Sequence, residues 1–96
     1  MTKKKAPKRE PAVEVDPKVL EYYMSLPYSI LLTPMPEEDG KGWYVEIPEL
    51  KGCISDGETV EKALEMIEDA KLGWLTVSLA HKHDIPLPKS VIEKAS

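Results

Sequence analysis

What this chain has little of narrows its chemistry first. It carries one cysteine, Cys53, and two histidines, His81 and His83, in 96 residues. A single thiol makes no internal disulfide and, without several histidines nearby, no cysteine-based zinc site. That usage fits a reducing compartment, so a cytoplasmic location is expected. The apolar runs are far too short to cross a bilayer, and no membrane span is expected. "MTKKKAPKRE" opens basic but no apolar segment follows it, so a secretory signal is not expected either.

The patterns that catalysis needs are equally sparse. Around Ser55 the order is Cys-Ile-Ser-Asp-Gly, without the first glycine of a nucleophile elbow. Gly52 and Gly57 have the wrong spacing for a phosphate loop, and no Lys-Ser/Thr follows them. Cys53 has no histidine close in sequence and reads as a small buried apolar residue rather than a nucleophile. His81 and His83 fall on different faces if helical, with no third ligand in view, and His81 would complement the C-terminal dipole of a helix. Glu37, Glu38 and Asp39 sit in a loop and the other acids form a solvated stripe, so no acid/base pair stands out. Neither a catalytic residue nor a metal or cofactor site is expected, and the chain does not read as an enzyme.

What is present is a charge asymmetry. The net charge is −4, but Lys3, Lys4, Lys5, Lys8 and Arg9 are all at the start, leaving 8 basic against 17 acidic side chains in residues 10–96. The body is thus at −9. Such a body repels nucleic acid and favours a basic protein partner through steering. The basic arm could touch nucleic acid, but it carries no sequence readout.

The length suits one small domain: a disordered arm over residues 1–15, a folded domain over 16–90 and a tail over 91–96. Asp16 and Pro17 start a short helix through Val19, Leu20, Tyr23 and Met24, which Pro27 closes. "YSILLT" reads as a strand ended by Pro34 and Pro36, "EEDGKG" as a hairpin connection, and "WYVEIP" as the clearest strand, with Trp43, Val45 and Ile47 against Tyr44 and Glu46. "GCIS" makes a brief third strand whose Cys53 and Ile54 are expected to dip into the core. Thr59 then caps a long helix with Val60, Ala63, Leu64, Ile67, Ala70, Trp74 and Leu75 as its apolar stripe. A short fourth strand over Ile85–Ser90 is the open alternative for the tail. The fold class is α+β: a short helix, then a three-stranded antiparallel sheet packed by one long helix.

If that helix runs from Val60 to His81 it spans roughly 33 Å, so one end overhangs strands of roughly 17–20 Å. The overhang is apolar nearly all round, and Leu72, Trp74, Leu75, Val77 and Leu79 are expected to form a self-association surface, with Gly73 allowing a close backbone approach.

The run "GKGWYVEIPELKGCISDGETVEKALEMIEDAKLGWL" resembles the HicB-type antitoxin domain. The matching positions are Gly42, Trp43, Val45, Pro48, Glu49, Leu50, Gly52, Cys53, Ser55, Gly57, Glu58, Thr59, Ala63, Leu64, Ala70, Trp74 and Leu75, and the similarity covers residues 28–88. Lys51 stands where the family often has proline, and Lys62 where it often has the glutamate of a capping box. The resemblance implies a partial RNase H-like fold, no catalysis, and a partner of the HicA type, a small basic mRNA-cleaving toxin of a prokaryotic toxin-antitoxin system. A homodimer or higher homo-oligomer is expected. The DNA-binding segment found in many members has no counterpart before Ser96, so operator binding is not expected. The alternative is an orphan homo-oligomeric structural or adaptor domain with no toxin.

Overall fold

The computed structural model describes residues 15–90. Apart from Val15, the expected arm lies outside them, as does the 91–96 tail. Helix α1, Pro17–Met24, starts where the local signals put it: the Asp16 carboxylate accepts from the Lys18 N–H at 2.9 Å, and Pro17 occupies the first turn, where a missing donor leaves nothing unpaired.

Strands β1 (Leu31–Pro34), β2 (Trp43–Glu46) and β3 (Ile54–Gly57) form an antiparallel sheet in the order β1-β2-β3. The β1–β2 connection contains a single 3-10 turn, Glu37–Asp39. Leu31, Glu46 and Ile54 align across the sheet, as do Thr33, Tyr44 and Asp56. The intervening rows are Leu32, Val45 and Ser55, then Pro34, Trp43 and Gly57. Because side chains alternate, the first two rows share the outer face and the last two share the inner one.

Both outer strands start later than expected. Tyr28 leaves β1 for the core, where its hydroxyl donates to the Pro86 carbonyl at 2.6 Å. Burial first, then nearby Tyr23 and Glu49, pushes this phenol up to about 12. Pro34 belongs to the strand it was expected to end. Met35 N–H donates to Gly42 O, and the alternation turns Pro34 toward the free edge, where no ladder donor is needed. In the β2–β3 turn, Leu50 N–H bonds to Ile47 O and Cys53 N–H to Leu50 O; the Cys53 carbonyl then accepts from Ile47 N–H, and the ladder runs on from Ile54. Cys53 enters the core as expected. Ile54 points outward and is 63% exposed, a correction that follows from this register.

Thr59 caps α2, Val60–Ala80, accepting from the Lys62 N–H at 3.0 Å. Its buried positions are Ala63, Ile67, Lys71, Leu75 and Ser78, packed against Tyr28, Val45, Ile47, Leu50 and Cys53. The stripe is rotated from the expected one: Leu64 is exposed, while Lys71 is inside at 6% exposure. Its ammonium donates to the Met24 carbonyl at 3.2 Å and pairs with Glu68 at 3.2 Å, so the apolar stem is buried and the charge is satisfied.

Beyond the strands, the C-terminal half of α2 meets the β2–β3 turn through Trp74, whose indole N–H donates to Lys51 O at 2.8 Å. Leu20, Tyr23 and Met24 of α1, and Ile85 of the returning chain, pack against the same core. Much of the expected overhang is thus covered from within. The helix ends in a Schellman arrangement, His83 N–H to Ser78 O and Lys82 N–H to Leu79 O, with Lys82 at φ 57° in the left-handed region glycine usually fills. Residues 85–90 make no strand: residues 85–88 have no regular structure, and Lys89 and Ser90 are helical.

Glu49 ties three segments together. Its carboxylate accepts from Ser29 N–H, Ser29 Oγ and Lys89 N–H. Partial burial alone would raise its pKa, but the hydrogen bonds from Lys89 and Ser29 outweigh it and hold the carboxyl below its ordinary 4.5. A depressed pKa contributes stability that is complete above the unfolded value and is lost as pH falls through the folded one. Glu49→Gln is therefore expected to cost about 1 kcal/mol at neutral pH, allowing for solvent screening, and the deficit should shrink below about pH 4.5. Urea titrations of both proteins at neutral and acid pH check this.

Candidate functional site

The outer sheet face has no covering element among the described residues. Leu31, Tyr44 and Ile54 lie on it at 50%, 43% and 63% exposure, with Thr33 between them and Glu46 and Asp56 in the same two rows. Asp39, from the hairpin turn, reaches its edge and accepts the Tyr44 hydroxyl at 3.0 Å. That hydrogen bond first, then desolvation and the neighbouring Asp39 and Asp56 charges, raises the phenol above its ordinary pKa. None of the three strands carries a lysine or arginine. The face is therefore apolar in patches and negative between them. A shallow pocket lined by Leu31, Thr33, Tyr44, Glu46 and Ile54 marks it.

A second exposed surface lies at the outer edge of β3. Gly52, Cys53 and Ile54 form one wall of a groove there, and Gly73, Trp74 and Val77 of α2 form the other. The residues expected to mediate self-association divide around this helix. Trp74, half-buried, and Val77, 55% exposed, line the groove. Leu72 lies on a different side, against Pro17, Leu20 and Met24 of α1. Leu75 is wholly buried in the core and Leu79 is half-buried.

The residues weighed for chemistry are placed as follows. Cys53 is 2% exposed, and burial pushes its thiol up despite the nearby Lys71 charge. His83 lines the same groove, a proximity the sequence separation hid, because the Schellman turn folds the chain back there. The His81 and His83 rings stack at 5.7 Å. Ser55 is half-buried in an inner row of the sheet. Among the described residues no three His, Cys, Asp or Glu side chains converge as metal ligands, and no helix is long and apolar enough to cross a membrane.

Fold and surface together define a small α+β domain with one open, acidic and apolar sheet face. A family model described as the HicB-like antitoxin of bacterial toxin-antitoxin systems matches residues 28–96. The chain belongs to this family of antitoxins, and membership implies a toxin partner of some kind. A UPF0150 protein of Synechocystis is 36% identical over 67 residues, covering 70% of this chain and 88% of that protein. A UPF0150 protein of Helicobacter pylori is 39% identical over 41 residues, covering 43% of this chain and 57% of that protein. No solved structure matches the chain.

Proposed function

We propose that this protein binds and neutralises a small basic ribonuclease of the HicA type, docking it on the outer sheet face. The observation that carries the reading is the composition of that face: Leu31, Tyr44 and Ile54 set among Glu46, Asp56 and Asp39, with no positive charge on the strands. A ribonuclease surface that holds RNA is cationic, and carboxylates fixed on a rigid sheet present it with an alternative to phosphate. Long-range attraction speeds encounter, while the exposed tyrosine and aliphatic side chains supply the buried contact that slows dissociation.

Size bounds the interface. Three strands of four residues cover about 200 Å² in projection, against the roughly 800 Å² per partner of a standard interface. The contact therefore extends past the sheet, and the surface beside the hairpin and the start of α2, where Asp39, Glu58 and Met66 stand with Lys41 and Lys62, adjoins it.

Co-expression with a small basic protein encoded beside this gene, where there is one, tests the reading. The wild type is expected to co-purify with it and stop RNA cleavage. A Glu46→Lys, Asp56→Lys double variant should fold normally and bind at least about 100-fold more weakly, mainly through slower association at low salt. Unchanged cleavage in the presence of the wild type, or full binding by the charge-reversed protein, would sink the proposal. The lack of any such neighbouring gene would favour the orphan adaptor.

A further inference from the structure

The two edges of the sheet are not alike. β1 carries Pro34 on its free side, a residue that blunts an exposed edge. β3 has neither proline nor lysine in Ile54–Gly57. Ile47 N–H donates to Cys53 O at 3.0 Å, which makes that pair a bonded one. The alternation of an antiparallel ladder then turns the backbone N–H and C=O groups of Ile54 and Asp56 away from β2. Among the described residues nothing pairs with that edge.

Beside the edge runs the groove of Gly52, Ile54, Gly73, Trp74 and Val77. Gly73 has no reason to be glycine inside one chain: it is helical, and an added Cβ would meet nothing within 4 Å. In a helix interior it costs about 1 kcal/mol relative to alanine.

We propose that a second copy of this chain occupies this edge and groove, pairing β3 with its own copy in antiparallel fashion across a two-fold axis. Such pairing is self-complementary: each strand offers the other the same outward groups, and the two sheets join into one. Gly73 then lets the neighbouring backbone come close, and Val77 is covered. Charge selects the occupant. Apart from His83, no titratable side chain other than the buried Cys53 thiol lines the groove, so a basic partner finds nothing to attract it there. On the sheet face, by contrast, Asp39, Glu46 and Asp56 would all confront their own copies, whereas the edge pairing brings only the exposed Asp56 carboxylates of β3 near each other. The two faces therefore take different occupants, and this assignment does not rest on the toxin reading.

The experiment is sedimentation of the full chain at roughly 100 μM, where a Kd of 1 μM or tighter leaves mostly dimer. The wild type is expected at twice the 10.8 kDa chain mass. Its association should strengthen with added salt, because each body carries excess negative charge that salt screens; toxin binding should weaken under the same change. Val77→Asp and Gly73→Glu, both at exposed positions, are expected to give folded monomers. Glu46→Lys should remain dimeric. The Ile54 and Asp56 amides should exchange more slowly in the wild-type dimer than in either monomeric variant. A monomeric wild type at that concentration, dimers that survive both groove substitutions, or equal exchange of the two amides in dimer and monomer would overturn the proposal.

Discussion

Replacing Gly57 with alanine is expected to remove about 3 kcal/mol or more of stability, a large share of the roughly 5–14 kcal/mol available to a chain of this size. Gly57 ends β3 just before α2 begins, and the sheet and helix touch there through backbone alone. A Cβ at this position would lie 2.7 Å from Ala63 Cα and 2.8 Å from the Lys62 carbonyl carbon, and closer still to the Ala63 nitrogen. None of these atoms belongs to a side chain that could rotate away. Relief requires the first turn of α2 to lift from the sheet, carrying the buried Ala63 and Ile67 with it. The same glycine serves a second approach, because a Cβ on Gly42 would come within 2.6 Å of the Gly57 carbonyl oxygen. Thermal unfolding checks the expectation: about 3 kcal/mol corresponds to a fall of roughly 12–24 °C in a domain this small. Gly52→Ala is the control, since Gly52 has φ +88° and open space around it. It should cost only the left-handed penalty of about 1–2 kcal/mol. If the two substitutions were equally mild, the close approach at Gly57 would not be what holds β3 against α2.

That contrast also separates what could be read in the amino-acid order from what could not. The stretch from Pro48 to Leu64 reads as a joint rather than a reactive loop because its signals are local: Pro48 follows a strand, and Thr59 caps the helix three residues ahead of the N–H it accepts. Asp16 and Pro17 are legible for the same reason. The alternation in β2 places Tyr44 and Glu46 together opposite Val45, so half of the sheet face is visible in advance. Ile54 is not, because the hydrogen bonds of the preceding turn set where pairing begins, and a register moved by one residue reverses every side chain. Apolarity alone likewise grouped Leu72, Leu75 and Val77, which the helix sends to α1, the core and the groove. The family resemblance supplies a kind of partner but no contact residue, since only the assembled sheet shows which face stays uncovered.

Lys71 shows the limit most sharply, and removing its side chain is the second large effect expected. Its partner, the Met24 carbonyl, is 47 residues away, so no local pattern announces a buried lysine in the middle of an apolar stripe. Lys71→Ala is expected to cost about 2–4 kcal/mol, comparable to truncating a core aliphatic side chain, because a buried four-carbon stem leaves a cavity between α1 and α2. It also strips a donor from the C-terminal end of α1, where the last carbonyls have no intrahelical partner. Lys71→Met separates the two contributions. It keeps the length and apolar volume of the stem and removes only the ammonium, so it should recover most of the packing and lose about 1 kcal/mol for the missing hydrogen bond. Glu68 contributes little to the difference, since its side chain is 53% exposed and its pairing is screened by water. Hydrogen exchange and limited proteolysis over Pro17–Met24 give the local readout: α1 should loosen in Lys71→Ala and stay docked in Lys71→Met. A methionine variant as damaged as the alanine one would show that the charge and its carbonyl partner, rather than the stem, hold α1 against α2.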